Sequence, residues 1–269
     1  MAGPGFKRWL SNLLRQAGLL YLTDYMMFWL QKVRNYKKNQ SFKKANPGIV
    51  LPPDYLVYES FQLDYRKYYT DSIETARWLT GIFKTHAHLY NANILDWGCG
   101  PGRIIRHLPD LAGAPCFIYG TDCNPRTIAW CRHNIPGVQF SQNSMDPPLD
   151  FNDQFFHIIY GISIFTHLSE PMHRAWAAEL HRLLAPEGIC LLTTQGEAFL
   201  QKLTGKEQQS FREGRLVVRG KVKEGHRIWS AFQPESYIME LFAGFSLVSL
   251  RKGEASGRPQ QDVWVFRKA

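Results

Sequence analysis

The residues of this chain best suited to chemistry are two carboxylates set around three glycines. Asp96 stands two positions before Gly98; Gly98, Gly100 and Gly102 alternate through GCGPG, and Arg103 follows. Glycine gives up its side chain where the backbone must take a positive φ or come close to another group. The apolar run NILDWG lies just before, so the stretch predicts a strand turning tightly into a helix whose free N–H groups face a ligand. A glycine loop by itself serves many nucleotide-binding folds. Here the third glycine of a G-x-G-x-x-G fingerprint is absent, and Asp96 would repel a phosphate and attract an ammonium group. The following strand, CFIYGTD, ends in Asp122, where a carboxylate can accept hydrogen bonds from ribose hydroxyls. Together they point to a ligand with a nucleoside, an ammonium group and no essential phosphate.

The elements that must position these residues alternate. Residues 93–98, 116–122, 156–162 and 188–196 read as strands, and FSLVSLR and QDVWVFR as late ones. Between them 103–112, 124–135, 169–184 and 234–244 read as helices, with Asn124 and Ser169 as caps and Pro125 in a first turn. Residues 71–85 predict a further helix, capped by Asp71 or Ser72, with Ile73, Ala76, Leu79 and Phe83 inward. Buried strands alternating with helices build a mostly parallel sheet, and ligands on such sheets bind at the carboxyl ends of the strands. Residues 218–232 alternate like a hairpin, and ANPGIVLPPDY, 45–55, predicts an extended connector.

Charge is unevenly placed. Of the 32 Lys and Arg, nine lie in residues 1–50 beside a single acid, Asp24; the rest of the chain holds 23 bases and 22 acids. Attraction for a polyanion or an anionic membrane therefore belongs to the N-terminal fifth. In 9–33 the residues Trp9, Leu13, Leu14, Leu20, Tyr21, Phe28, Trp29 and Val33 recur near helical spacing. The expected helix packs on the main body by this apolar face; an interfacial membrane helix and a nucleic-acid contact are the alternatives. Arg15, Asp24 and Lys32 interrupt it too often for a membrane span, and no secretory signal is expected. The five cysteines, 99, 116, 123, 131 and 190, contain no CxxC pair. Neither a disulfide framework nor a metal site follows, and a cytoplasmic setting, peripheral to a membrane if the N-terminal helix docks there, is expected.

LDWGCGPGR and YGTDCNP resemble the first two motifs of the class I S-adenosylmethionine-dependent methyltransferases. FHIIYGISIFTHL resembles their fourth strand and the loop after it, and LHRLLAPEGICLLTT the helix-turn-strand that follows. The resemblance covers 71–269, leaving 1–70 as a basic, aromatic helical extension and linker. It implies an α/β fold: a Rossmann-like, doubly wound, seven-stranded sheet with its last strand antiparallel. The implied cofactor is S-adenosylmethionine, with S-adenosylhomocysteine as product. Asp96, Gly98 and Gly100 would line its methionine end, with Cys99 and Arg103 in the same loop. Asp122 would hold the ribose, Cys123 would lie along the adenine, and Asn143 and Ser144 would stand where the family has an acid meeting the adenine amino group. Tyr160 and Gly161 would border the transferable methyl. His157 replaces the usual Asp at the start of the fourth strand, a structural change.

Past that strand, His167 would meet the acceptor and could deprotonate a hydroxyl during in-line displacement. Tyr68 or Tyr69 would close the site, and Trp229 and His226 would face the substrate. MDPPL, 145–149, resembles a motif of methyltransferases acting on DNA bases, but it precedes the fourth strand and Leu149 is no stacking aromatic. The expected activity is O-methylation of a small-molecule, saccharide or lipid-linked acceptor. An RNA or DNA methyltransferase recruited by the basic N-terminus and a non-catalytic adaptor are the alternatives.

Overall fold

A computed structural model describes residues 18–257 and 259–269. Nine strands are present among them. Seven form one sheet: β1 (Ala92–Trp97), β2 (Cys116–Asp122), β3 (Gln139–Gln142), β4 (Phe156–Gly161), β5 (Leu184–Thr194), β8 (Phe245–Arg251) and β9 (Asp262–Lys268). Their order is β3-β2-β1-β4-β5-β9-β8, and β9 runs antiparallel to both its neighbours. This is the doubly wound sheet expected from the motifs. A separate pair, β6 (Val217–Arg219) with β7 (Ser230–Phe232), closes the hairpin expected at 218–232.

The central strands β1, β4, β5 and β9 are buried on both faces, so they carry apolar residues on both sides and alternate in which layer they meet. Ile94, Ile158, Tyr160, Leu191 and Val265 face one layer, with Leu79 and Phe83 of the helix Asp71–His86. Leu95, Ile159, Cys190, Leu192 and Trp264 face the other, with Trp176 and Leu180 of Glu170–Leu183 and Ile238 of Glu235–Leu241. The parity fixes the site: Asp96 shares a face with Ile94, directly opposite Tyr160 in the β1–β4 ladder.

Several elements differ from the sequence expectation. The helix expected over 103–112 is a turn, a 3-10 segment Ile105–His107 and a short helix Leu108–Ala112. Pro109 has no N–H to continue a helix begun at Arg103, but it is accommodated in a first turn. Asn124 does cap Pro125–Asn134, accepting from the N–H of Arg126 and Thr127. Ser169 precedes Glu170–Leu183 without a side-chain cap; its own N–H donates to Glu224. Asp71 and Ser72 lie inside their helix, not before it, and Ser72 Oγ donates to Tyr69 O. The connector expected at 45–55 ends in a helix, Asp54–Ser60.

In the extension the helices are Leu20–Arg34, Tyr36–Ala45, Asp54–Ser60 and Tyr65–Tyr69. Phe28, Val57, Tyr58, Leu63, Tyr65 and Tyr68 make their common core. Trp9, Leu13 and Leu14 of the expected 9–33 helix lie outside the described residues. Of the rest, Leu20 and Phe28 point inward, Tyr21 is exposed at the edge of the inner side, and Trp29 and Val33 are exposed on the outer side, so the apolar face is not the packing face.

Candidate functional site

The site forms at the carboxyl ends of β1, β2, β3 and β4. Gly98 and Gly100 have φ of 76° and 52°. A Cβ on Gly98 would run into Ile164 Cδ1, and one on Gly100 would stand 3.6 Å from Ser60 Cβ. The loop N–H groups are not free for a phosphate. Those of Gly98 and Cys99 donate to Thr121 O, that of Gly102 to Cys99 O, and that of Gly100 to Asp122 Oδ2 at 3.0 Å. The helix expected to begin at Arg103 is replaced here by a turn and the 3-10 segment Ile105–His107, so the glycine loop does not lead straight into an α-helix N-terminus.

Asp122 is held from both sides: Oδ1 accepts from Asn124 N–H at 2.8 Å and Oδ2 from Gly100 N–H. A carboxylate has about four acceptor positions, so two bonds fix its plane and leave capacity for a pair of hydroxyls. Burial raises its pKa, opposed by these two bonds. Asp96 is buried, and Tyr160 donates its hydroxyl to Asp96 Oδ2 at 2.7 Å. Burial pushes the Asp96 carboxyl up to about 7, and nearby Asp122 adds to the rise; the Tyr160 bond and the Arg103 charge work against it. Tyr160 is itself wholly buried against Phe83, so its side chain supports Asp96 from below. Gly161 rests on Trp97: a Cβ there would meet Trp97 Cε3 at 2.8 Å.

Arg103 stacks over Phe61 at 5.1 Å, and burial lowers its pKa. Cys99 is buried in the loop, its thiol reaching Gly100 O, while Cys123 is exposed beyond Asp122. Asn143 donates its N–H to Asp122 O and its amide Nδ2 to Ser144 O, which leaves Asn143 Oδ1 buried with no partner. An orphaned buried acceptor beside the ribose-type carboxylate suits an adenine amino donor. With the buried Asp96 carboxyl, which a bound cation would favour in its ionised form, at the other end, the residues present fit S-adenosylmethionine.

His167 ends a 3-10 turn, Phe165–His167, just past β4. Its Nδ1 lies 2.9 Å from Trp229 O. A carbonyl only accepts, so Nδ1 carries the proton and Nε2 is the basic nitrogen. Burial lowers the imidazole pKa. The structure thus brings His167 and Trp229 together, and the Trp229 indole N–H is buried without a partner. Tyr69 lies apart from them, packed on His107 and Arg106; it is Tyr68 whose hydroxyl reaches the glycine loop, donating to Pro101 O at 2.5 Å.

The helix Asp54–Ser60 adds a residue the sequence reading passed over. Glu59 accepts from Asn124 Nδ2 at 3.4 Å, and its pKa is raised by burial and by the charge of Asp122. Its signal was the Asp after Pro-Pro in PPDY, a helix start followed by DYLVYES. His226 lies against Tyr21 of the helix Leu20–Arg34, with rings 5.2 Å apart.

Residues 94–188 match a family described as "Methyltransferase domain". A trans-aconitate 2-methyltransferase of Methylobacterium nodulans is 31% identical over 109 residues, 37% of this chain and 36% of that protein. A cyclopropane mycolic acid synthase of Mycobacterium bovis is 30% identical over 111 residues, 38% of this chain and 35% of that one. The chain thus spans about a third of the length of these curated relatives. Among solved structures, a SAM-dependent methyltransferase of Methanosarcina mazei superposes with a TM-score of 0.54 at 20% identity, over 70% of this chain and 96% of the other. A protein of Pyrococcus horikoshii gives 0.55 at 19%, over 76% and 96%. At such identities the likeness is one of fold.

Proposed function

We propose that this chain, a class I S-adenosylmethionine-dependent methyltransferase by its matched domain and strand order, methylates a hydroxyl of a small-molecule, saccharide or lipid-linked acceptor. The observation that carries the reading is the pair of carboxylates on adjacent strand ends. Asp122 is oriented by the glycine loop itself, and Asp96 is buried and accepts a hydrogen bond from the Tyr160 hydroxyl. When bound, S-adenosylmethionine supplies a methyl group on a positively charged sulfur. Asp96 would hold the ammonium of its methionine end, Asp122 the ribose hydroxyls and Asn143 Oδ1 the adenine amino group, with Gly98, Cys99, Gly100, Arg103, Cys123, Ser144 and Gly161 around them.

His167 supports the choice of a hydroxyl. Its proton is committed to Trp229 O, and a lowered pKa keeps Nε2 unprotonated at neutral pH, ready to accept the acceptor's proton. A cytoplasmic setting belongs to the same reading, on the ground of the scattered cysteines.

Asp122→Ala should abolish S-adenosylmethionine binding by calorimetry; unchanged affinity would overturn the cofactor placement. His167→Ala should cut turnover by about a hundredfold while cofactor affinity stays as in the parent chain. Full activity in that variant would leave His167 a structural role. With methyl-labelled S-adenosylmethionine and cell extract, label should enter small polar or organic-soluble material; label in nuclease-sensitive polymer would move the acceptor to nucleic acid.

A further inference from the structure

The helix Leu20–Arg34 turns its apolar side outward. Leu22, Met26, Trp29, Leu30 and Val33 recur at steps of three and four, one stripe along the helix. They are 57%, 62%, 46%, 57% and 73% exposed. Leu19 and Tyr36 prolong the stripe at either end, also exposed.

The inner side is the polar one. Tyr58 donates its hydroxyl to Asp24 Oδ1 at 2.7 Å, Gln31 Oε1 accepts from Leu63 N–H at 3.0 Å, and Lys32 pairs with Asp54 at 3.0 Å. Only Leu20 and Phe28 of the helix are buried. Packing on the rest of the protein therefore does not use the stripe, the reverse of an ordinary surface helix. A contiguous exposed apolar patch marks an interaction surface.

Charge decides the kind of partner. Between residues 18 and 50 stand six bases and one acid, and Arg34, Lys37 and Lys44 are exposed next to the stripe or on the following helix, Tyr36–Ala45. A second copy would bring the same positive charge, and the rest of the chain is near neutral. The exposed rings of Tyr25 and Trp29 suit a headgroup boundary, where one side of a ring is wet and the other apolar. Among the described residues no helix is long and apolar enough to cross a membrane. We propose that Leu20–Arg34 lies in the surface of an anionic membrane, its stripe against the acyl chains and the neighbouring bases among the headgroup phosphates. The inward side of this helix also holds the segment beside His167: Tyr21 accepts from Lys223 N–H at 2.6 Å, and Asp24 Oδ1 lies 3.9 Å from Arg227 Nε.

The test is sedimentation of the full chain with phosphatidylcholine vesicles, with and without roughly a third phosphatidylglycerol. Binding to the anionic vesicles is expected, weakened by added salt. Leu30→Glu with Val33→Glu, both at exposed positions, should lower the partition by about tenfold or more. Lys37→Glu with Lys44→Glu should lower it on anionic vesicles alone. Failure of the parent chain to sediment, or equal sedimentation of the Leu30/Val33 variant, overturns the proposal. So does a dimer that this variant splits, or a fall in its melting temperature, in the absence of vesicle binding: the stripe would then belong to a second copy or to residues 1–17. Calorimetry with S-adenosylmethionine on the same variant should match the parent, which separates this outcome from any failure of the methyl-transfer reading.

Discussion

Asp96 and Tyr160 form a titratable pair in which each residue explains the other. The tyrosine is buried because its ring packs on Phe83, and its hydroxyl has Asp96 to donate to. Burial holds the Asp96 pKa near 7, about three units above that of an exposed Asp. Only the ionised form attracts a cation, so S-adenosylmethionine affinity should rise with pH to about 7 and level off above it. Below that it should fall by up to about tenfold per unit. The sign for stability is opposite. Folding raises this pKa, so the free protein loses stability from about pH 4 to about pH 7, where the carboxyl ionises in the unfolded chain but stays protonated in the fold, and a bound cation restores it. Tyr160→Phe removes a bond that favours the carboxylate and should move the binding midpoint upward; Asp96→Asn should remove the pH dependence. Calorimetry across pH 5.5–8.5 checks both, and a profile identical in all three proteins would falsify the role given to Asp96.

The glycine loop does its work as an element, through backbone shape. Gly98 sits at φ 76° directly under Ile164, the residue that opens the turn carrying His167. Gly98→Ala adds a left-handed non-glycine residue and displaces Ile164. A loss of about 1–3 kcal/mol is expected, read as a lower urea midpoint with unchanged slope. No loss would mean that the loop can adopt another conformation. The glycine spacing and the order of strand and helix were legible in the sequence because both are local. The fate of 103–112 was not: periodicity alone carries one helix through Pro109, whereas its missing N–H breaks the run into the 3-10 segment Ile105–His107 and a short helix restarting at Leu108.

At the scale of the whole molecule, Arg227 is among the side chains that join the N-terminal helices to the hairpin between β6 and β7. The Arg227 guanidinium lies 3.9 Å over the Tyr58 ring and donates to Tyr58 O at 2.7 Å, with Asp24 beside it. Arg227→Ala should loosen Leu20–Ser60 from the body. Limited proteolysis should cleave there about tenfold faster, since cleavage follows the population of the open form. Arg227→Lys should not restore the contact, because an ammonium lacks the planar face that stacks on the ring. Unchanged cleavage in Arg227→Ala would assign the hold to the Tyr58 core instead.

By itself the sequence determined what depends on neighbours along the chain: the alternating strands and helices, the Asn124 cap, the glycine loop and the carboxylates at two strand ends. Each rests on side-chain type at fixed short spacing. What only the tertiary structure decided comes from residues far apart in the chain. It gave Asp96 a buried tyrosine partner 64 positions away and set the His167 tautomer through Trp229 O, 62 positions away. It placed Glu59 beside Asn124. It also chose which side of Leu20–Arg34 faces inward. Helical spacing marks an apolar stripe but not its direction, and here inward hydrogen bonds to Asp24 and Gln31, from Tyr58 and Leu63, turned the stripe to the outside.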